Sequence, residues 1–156
     1  RYLKWDDASH PPEDDRIAYA IPEEAGEICQ LLQITMDPYC EQVPDVEDIV
    51  QAIARQEVLV YHHDREGTIE AVLTYHLQRS AVQWEFWATH PKWRHNCNGM
   101  KLYDVFRYNM RNKKCITIWT RDDNPVRKLH HYFHAKEDGL RDTVFLFHVS
   151  DRGRTK

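Results

Sequence analysis

The chain lacks several features that would narrow its class at once. No apolar run approaches the roughly 18 consecutive residues needed to cross a bilayer, so no membrane span is expected. The opening residues carry no apolar segment of signal-peptide type either. The four cysteines, Cys29, Cys40, Cys97 and Cys115, show no CxxC spacing, so a zinc knuckle has no ligand pattern to stand on. Scattered through expected core elements, they read as reduced thiols in a cytoplasmic setting. Positive charge is not in excess: the net charge of -4 argues against a broad nucleic-acid-binding surface.

What remains is the composition of a water-soluble globular chain. With 156 residues, 42% hydrophobic and 29% charged, it suits one domain with a sizeable core. Residues 1–15 have neither helical nor strand period and read as an acidic, flexible or edge-lying tail. Residues 16–150 read as a single domain and residues 151–156 as a polar tail. Within the domain a strand is predicted over Arg16 to Ala20, followed by a helix opened by Pro22 with Ala25, Ile28, Cys29 and Leu32 inward. Pro44-Asp45 opens a second helix with Val46, Ile49, Val50 and Ile53 on one face. A hairpin follows, its strands at Glu57 to His62 and Thr68 to Leu77, joined through Asp64 to Gly67. The run Ala81 to Thr89 carries bulky groups on both faces, Val82, Trp84 and Phe86 against Gln83, Glu85 and Trp87. Such a strand belongs inside a covered sheet. A helix capped by Asn98 turns Leu102, Val105, Phe106 and Met110 inward. Further strands are predicted at Cys115 to Thr120 and Thr143 to Val149. Between them lies a helix capped by Asn124, with Pro125 first and Val126, Leu129 and Phe133 as its stripe. This order predicts an α/β fold with a mixed central sheet and helices on both faces.

The stretch from Thr89 to Phe106 carries the most chemistry. A strand runs through a short loop straight into a helix, which leaves unpaired amides at the positive end of a helix dipole, suited to a phosphate. The pattern Pro91-x-Trp93-Arg94-x-x-Cys97-x-Gly99, with Leu102 in register, resembles the pyrophosphate-binding signature of the GNAT superfamily of acyl-CoA N-acyltransferases. The predicted element order is similar to that fold across most of the chain. Cys97 departs from the pattern by standing where the first of two glycines is expected, and its Cβ works against a close phosphate or a positive φ. Gly99 permits close approach, Asn98 tolerates left-handed angles and Arg94 offers a charge-assisted contact.

The resemblance implies acetyl-CoA as co-substrate, held by Trp87, Ala88 and Thr89 on the strand, by Arg94, His95, Asn96, Cys97, Asn98, Gly99 and Met100 in the loop, and by Asn124. It also implies a general base at Glu85, six residues before the motif proline. Glutamate among Trp84, Phe86 and Trp87 is partly desolvated, which raises its pKa toward a useful range, although a carboxylate paired across the sheet fits the residue as well. Family members place a tyrosine seven residues after the asparagine to protonate the departing thiolate. Ungapped counting gives His131 by register, and Tyr132 by residue type. The glycine–aromatic pair that usually closes this helix is replaced by Ala135-Lys136.

Other constellations are weaker. His130 and His134 are spaced i, i+4 but lack a third ligand, so no metal is expected. His62, His63 and His90 read as loop residues. Cys97 at a helix N-terminus has nucleophile chemistry, but a small residue substituting for glycine is the simpler reading. The function implied is N-acetyl transfer to an amine on a small molecule, protein or peptide. The alternative is a GNAT-fold binding or structural protein without transfer activity. A dimer is compatible with the sequence, which does not choose an oligomeric state.

Overall fold

The computed structural model describes residues 2–3, 13–38 and 41–142. The expected last strand and polar tail, and most of the expected acidic tail, lie outside them. Among the described residues six strands form one sheet: β1 (Tyr2–Leu3), β2 (Ile17–Tyr19), β3 (Val58–His62), β4 (Ile69–Leu77), β5 (Ala81–Thr89) and β6 (Cys115–Ile118), in spatial order β1-β6-β5-β4-β3-β2. All pairings are antiparallel except β5 with β6, which is parallel. The helices are α1 (Ala25–Thr35), α2 (Val46–Ala54), α3 (Asn98–Asn109) and α4 (Val126–Tyr132). Two residues of the stretch read as a tail thus lie in the sheet, as its outer strand. A further one, Asp14, is tied down by Lys101 Nζ at 2.9 Å and Tyr61 Oη at 3.2 Å. Burial works to raise the Asp14 carboxyl, but Lys101, Arg16 and Tyr61 together hold it well below the carboxylate range.

Local chemistry explains where the elements start. Asp45 accepts the Asp48 N–H at 2.9 Å while Asp48 accepts the Asp45 N–H at 3.3 Å, a reciprocal cap that opens α2. Glu27, in the first turn of α1, accepts the Ile69 N–H at 2.8 Å and ties that helix to β4. Gly67 takes φ 91 in the β3–β4 turn, where Asp64 accepts the Glu66 and Thr68 N–H groups at 3.1 Å each.

The sheet is covered on both faces, as its apolar strands require. Ile28, Leu31 and Leu32 of α1 and Ile49 and Ile53 of α2 pack on Val58, Val60, Val72 and Ala88. Leu102, Tyr103 and Phe106 of α3 pack on Leu59, Leu73, Tyr75, Val82, Trp84 and Ile116. Three expected stripes are corrected. On α2, Val46 and Val50 are exposed and Ala52 is buried in their stead. Tyr103 joins the inward face of α3. On α4 the buried residue is His130, with Val126, Leu129 and Phe133 only half-buried. Strand β6 also stops at Ile118, two residues short of the predicted end.

Two β-bulges shape the sheet. Tyr61 pairs with Ala71 and His62 with Ile69, which leaves Glu70 as the extra residue of β4. Thr74 pairs with Phe86 and Tyr75 with Trp84, which leaves Glu85 as the extra residue of β5. Each bulge reverses the alternation of side chains beyond it. The expected face of Val82, Trp84 and Phe86 is therefore corrected: Trp87 rejoins Trp84 on the α3 side, while Phe86 crosses to the α1 side.

Candidate functional site

The parallel pairing of β5 with β6 runs from Ala81↔Cys115 to Trp84↔Ile118 and ends there, while β5 continues to Thr89. Five residues of β5, Glu85 to Thr89, therefore have no β6 partner on that edge. Phe86 N–H points to Thr74 Oγ1 at 3.2 Å, and His90 N–H donates to the Glu70 carbonyl at 2.8 Å, both toward β4. Strand alternation then directs the N–H groups of Trp87 and Thr89 to the opposite edge, into the notch where the strands part. Ala88 carries its N–H toward β4 instead and has a buried side chain on the α1 side.

Glu85 is the first residue of β5 past the last β5–β6 pair, and it is the extra residue of the bulge. Its side chain reaches solvent, yet the surrounding protein crowds the carboxyl and pushes it above the usual glutamate range. Nearby Glu57 pushes in the same sense, and His76 and Arg55 pull against it. Behind it Trp84 is fully buried among Trp87 at 5.4 Å, Tyr103 at 5.5 Å, Phe106 at 5.4 Å and His130 at 5.3 Å.

From Thr89 the chain enters a 3-10 turn, Pro91–Asn96, and then α3. Cys97 is the N-cap of that helix, with φ 57 and ψ 15, so the corrected helix start puts Asn98 at the first helical position. The thiol side chain thus occupies the left-handed conformation that a glycine would adopt without cost. Replacing Cys97 by glycine is expected to relieve about 1 kcal/mol of backbone strain, read as a higher unfolding midpoint in urea. Unchanged stability would show that the residue sits there without strain.

The amides of the loop are not all alike. Met100 N–H donates to the Cys97 carbonyl at 3.0 Å and Cys97 N–H leans on the Arg94 carbonyl at 3.5 Å. Asn98 and Gly99, first and second in α3, belong to the turn whose N–H groups have no intrahelical acceptor. Gly99 is buried, and a Cβ there would lie 2.5 Å from Thr89 Oγ1. Trp87 Nε1 donates to its carbonyl at 3.0 Å. Gly99 thus lets α3 lie against β5. Arg94 is exposed and its Nε donates to the Thr89 carbonyl at 3.4 Å, closing the strand end; His95 is exposed.

On α4, Asn124 Oδ1 accepts the Val126 N–H at 3.0 Å, but Pro125 is the N-cap and Val126 the first helical residue, so the expected start is corrected by one position. His131 is exposed and bonded to Glu137 at 3.2 Å, and Tyr132 is 76% exposed. The inward residue is His130, edge-on to Trp84, its imidazole pushed down to about 4, chiefly by burial. The stripe expected for α4, Val126, Leu129 and Phe133, did not include it. His134 lies beyond the helix end at φ 63, so the expected i, i+4 pair with His130 is not a helical one.

Comparison with solved structures decides the architecture. An acetyltransferase of Trypanosoma brucei superposes with a TM-score of 0.60 at 11% identity, over 83% of this chain and 98% of that one. The chain has the GNAT fold. A Mycobacterium tuberculosis protein solved in complex with CoA matches the same GNAT architecture with a TM-score of 0.61 at 16% identity, over 74% of this chain and 69% of that one. A ribosomal-protein-alanine N-acetyltransferase of Brucella melitensis does so with a TM-score of 0.54 at 18% identity, over 84% of this chain and 99% of that one. No family model matches the sequence, and neither does any curated protein. Among the described residues no helix is long and apolar enough to cross a membrane.

Proposed function

We propose that this chain is an N-acetyltransferase that moves the acetyl group of acetyl-CoA to an amine by direct attack in a ternary complex. The parting of β5 and β6 beyond Trp84, with the N-terminus of α3 lying against Trp87 and Thr89 further along β5, is the observation that carries the reading. The notch offers a slot for the thioester arm, and the Asn98 and Gly99 N–H groups at the positive helix end suit the pyrophosphate. The GNAT fold of the solved acetyltransferases supports the same assignment.

In this reading the amine nitrogen bonds to the thioester carbon as the carbon–sulfur bond breaks. Trp87 and Thr89 N–H groups stabilise the oxyanion. Glu85 takes the ammonium proton through water. The CoA thiolate leaves and takes a proton from His131 or Tyr132, whose exposed positions on α4 require the cofactor arm to reach that surface. The acceptor is an amine on a small molecule or on a polypeptide.

A second reading, a GNAT-fold binding protein without transfer activity, is favoured by the Cys97 side chain in the loop and by the solvent-facing His131 and Tyr132. Thermal unfolding with acetyl-CoA, with CoA and without ligand separates the readings in part. At about 100 times Kd the ligand should stabilise the protein by about 2.7 kcal/mol. No shift with either ligand would overturn the acetyltransferase reading. A shift without acetyl transfer to a panel of small amines and peptide N-termini would favour the binding protein.

A further inference from the structure

The proposed mechanism makes no use of a fully buried carboxylate in β4. Glu70 is 0% exposed and lies one layer beneath the loop that opens α3. Three side chains converge on it. Asn98 Nδ2 donates to Oε1 at 2.8 Å, Asn96 Nδ2 donates to Oε1 at 3.3 Å, and His63 Nδ1 lies 2.9 Å from Oε2. Its main chain is engaged too, because the Glu70 carbonyl accepts the His90 N–H at 2.8 Å just before the loop begins. Glu70 is also the extra residue of the first bulge. The bulge takes it out of the regular ladder with β3 and aims its side chain at the loop.

A glutamate side chain suits this position, since its two oxygens can accept from all three neighbouring nitrogens. Against it both asparagines must present their NH2 groups, and His63 must carry its proton on Nδ1. The two asparagines flank Cys97, the residue held at φ 57. With their side chains drawn down to Glu70, the backbone between them is fixed at both ends. That explains how a left-handed cysteine persists where glycine would be relaxed. It also keeps the asparagine side chains out of the space at the start of α3.

Building on the acetyl-CoA reading, we infer that Glu70 is a positioning residue for the pyrophosphate of the cofactor, acting through Asn96 and Asn98 to hold the loop amides in a binding-ready arrangement. Glu70 does not touch the cofactor. A negative charge under an anion site would by itself repel the ligand, so the inference concerns loop geometry, and the Asn96, Asn98 and His63 donors turn that charge inward.

Calorimetric titration of CoA and of pantetheine, which lacks the pyrophosphate, tests this on the full chain. Glu70→Ala is expected to weaken CoA binding by about tenfold or more, the scale of lost bonds to a charged group, while pantetheine affinity stays unchanged. Glu70→Gln should fall between, because its NH2 opposes the asparagine donors. Should Glu70→Ala fail to fold, Asn98→Ala removes the shortest of the three bonds from the half-buried side and should show the same selective loss. Equal weakening of both ligands, or no weakening of CoA, would overturn the inference while leaving the acetyl-CoA reading in place. Failure of the unaltered protein to bind CoA would overturn both.

Discussion

Glu85→Gln is expected to lower acetyl transfer at neutral pH by about a hundredfold or more, the scale of a lost general base, with CoA affinity largely kept. The residue lies where β5 and β6 part, with a carboxyl raised by its surroundings, whereas the pyrophosphate would be held at the far end of β5. The pH dependence follows with a definite sign. A base works only when deprotonated, so the rate should climb with pH through a pKa above the ordinary glutamate value of about 4.3. The glutamine variant should lose that limb. Stability moves the opposite way: a raised carboxyl favours the folded state only at low pH and opposes it once ionised. Glu85→Gln should therefore leave the melting temperature at pH 7 unchanged or higher. A large drop in melting temperature, or an unaltered rate profile, would remove Glu85 from the chemistry.

Gly99→Ala should damage the fold and the site together. The new Cβ would come within 2.5 Å of Thr89 Oγ1 and 3.4 Å of Trp87 Nε1. Threonine is short and β-branched, so it has little room to retreat, and overpacking of this kind costs about 1–3 kcal/mol. If α3 moves off the sheet instead, the 3.0 Å bond from Trp87 Nε1 to the Gly99 carbonyl is lost, and the helix N-terminus shifts away from the notch. Urea unfolding should show the lower midpoint. Adding Thr89→Ala should recover much of the loss, a non-additivity expected of touching side chains. Simple additivity of the two changes would mean that the clash is relieved some other way.

The fold was legible where period and punctuation agree. The Pro44-Asp45 helix start, the turn at Gly67 and the strand Ala81 to Thr89 lie where the residues predict them, while Pro22 opens a 3-10 turn, Pro22–Glu24, that leads into α1. The faces were less legible, because a bulge leaves no mark in an apolar run. With bulky residues at 82, 84, 86 and 87, either phase satisfies the pattern, and only the extra residue at Glu85 settles which ring meets which helix. His130 was missed for a related reason: its neighbours are histidine and tyrosine, and ungapped counting cannot tell which of three polar aromatics turns inward. Glu70 did have a signal. One carboxylate inside Ile69-Glu70-Ala71-Val72-Leu73 must be buried, and a buried charge needs donors. The sequence does not say that those donors come from the loop 26 and 28 residues further along.

The short pairing of Tyr2–Leu3 with Cys115 and Ile116 has a practical consequence. Those two residues occupy hydrogen-bonding positions along β6 that a strand from another molecule would otherwise fill. Trimming or rebuilding the start of the chain would therefore bear less on chemistry than on solubility, by uncapping a template for self-association.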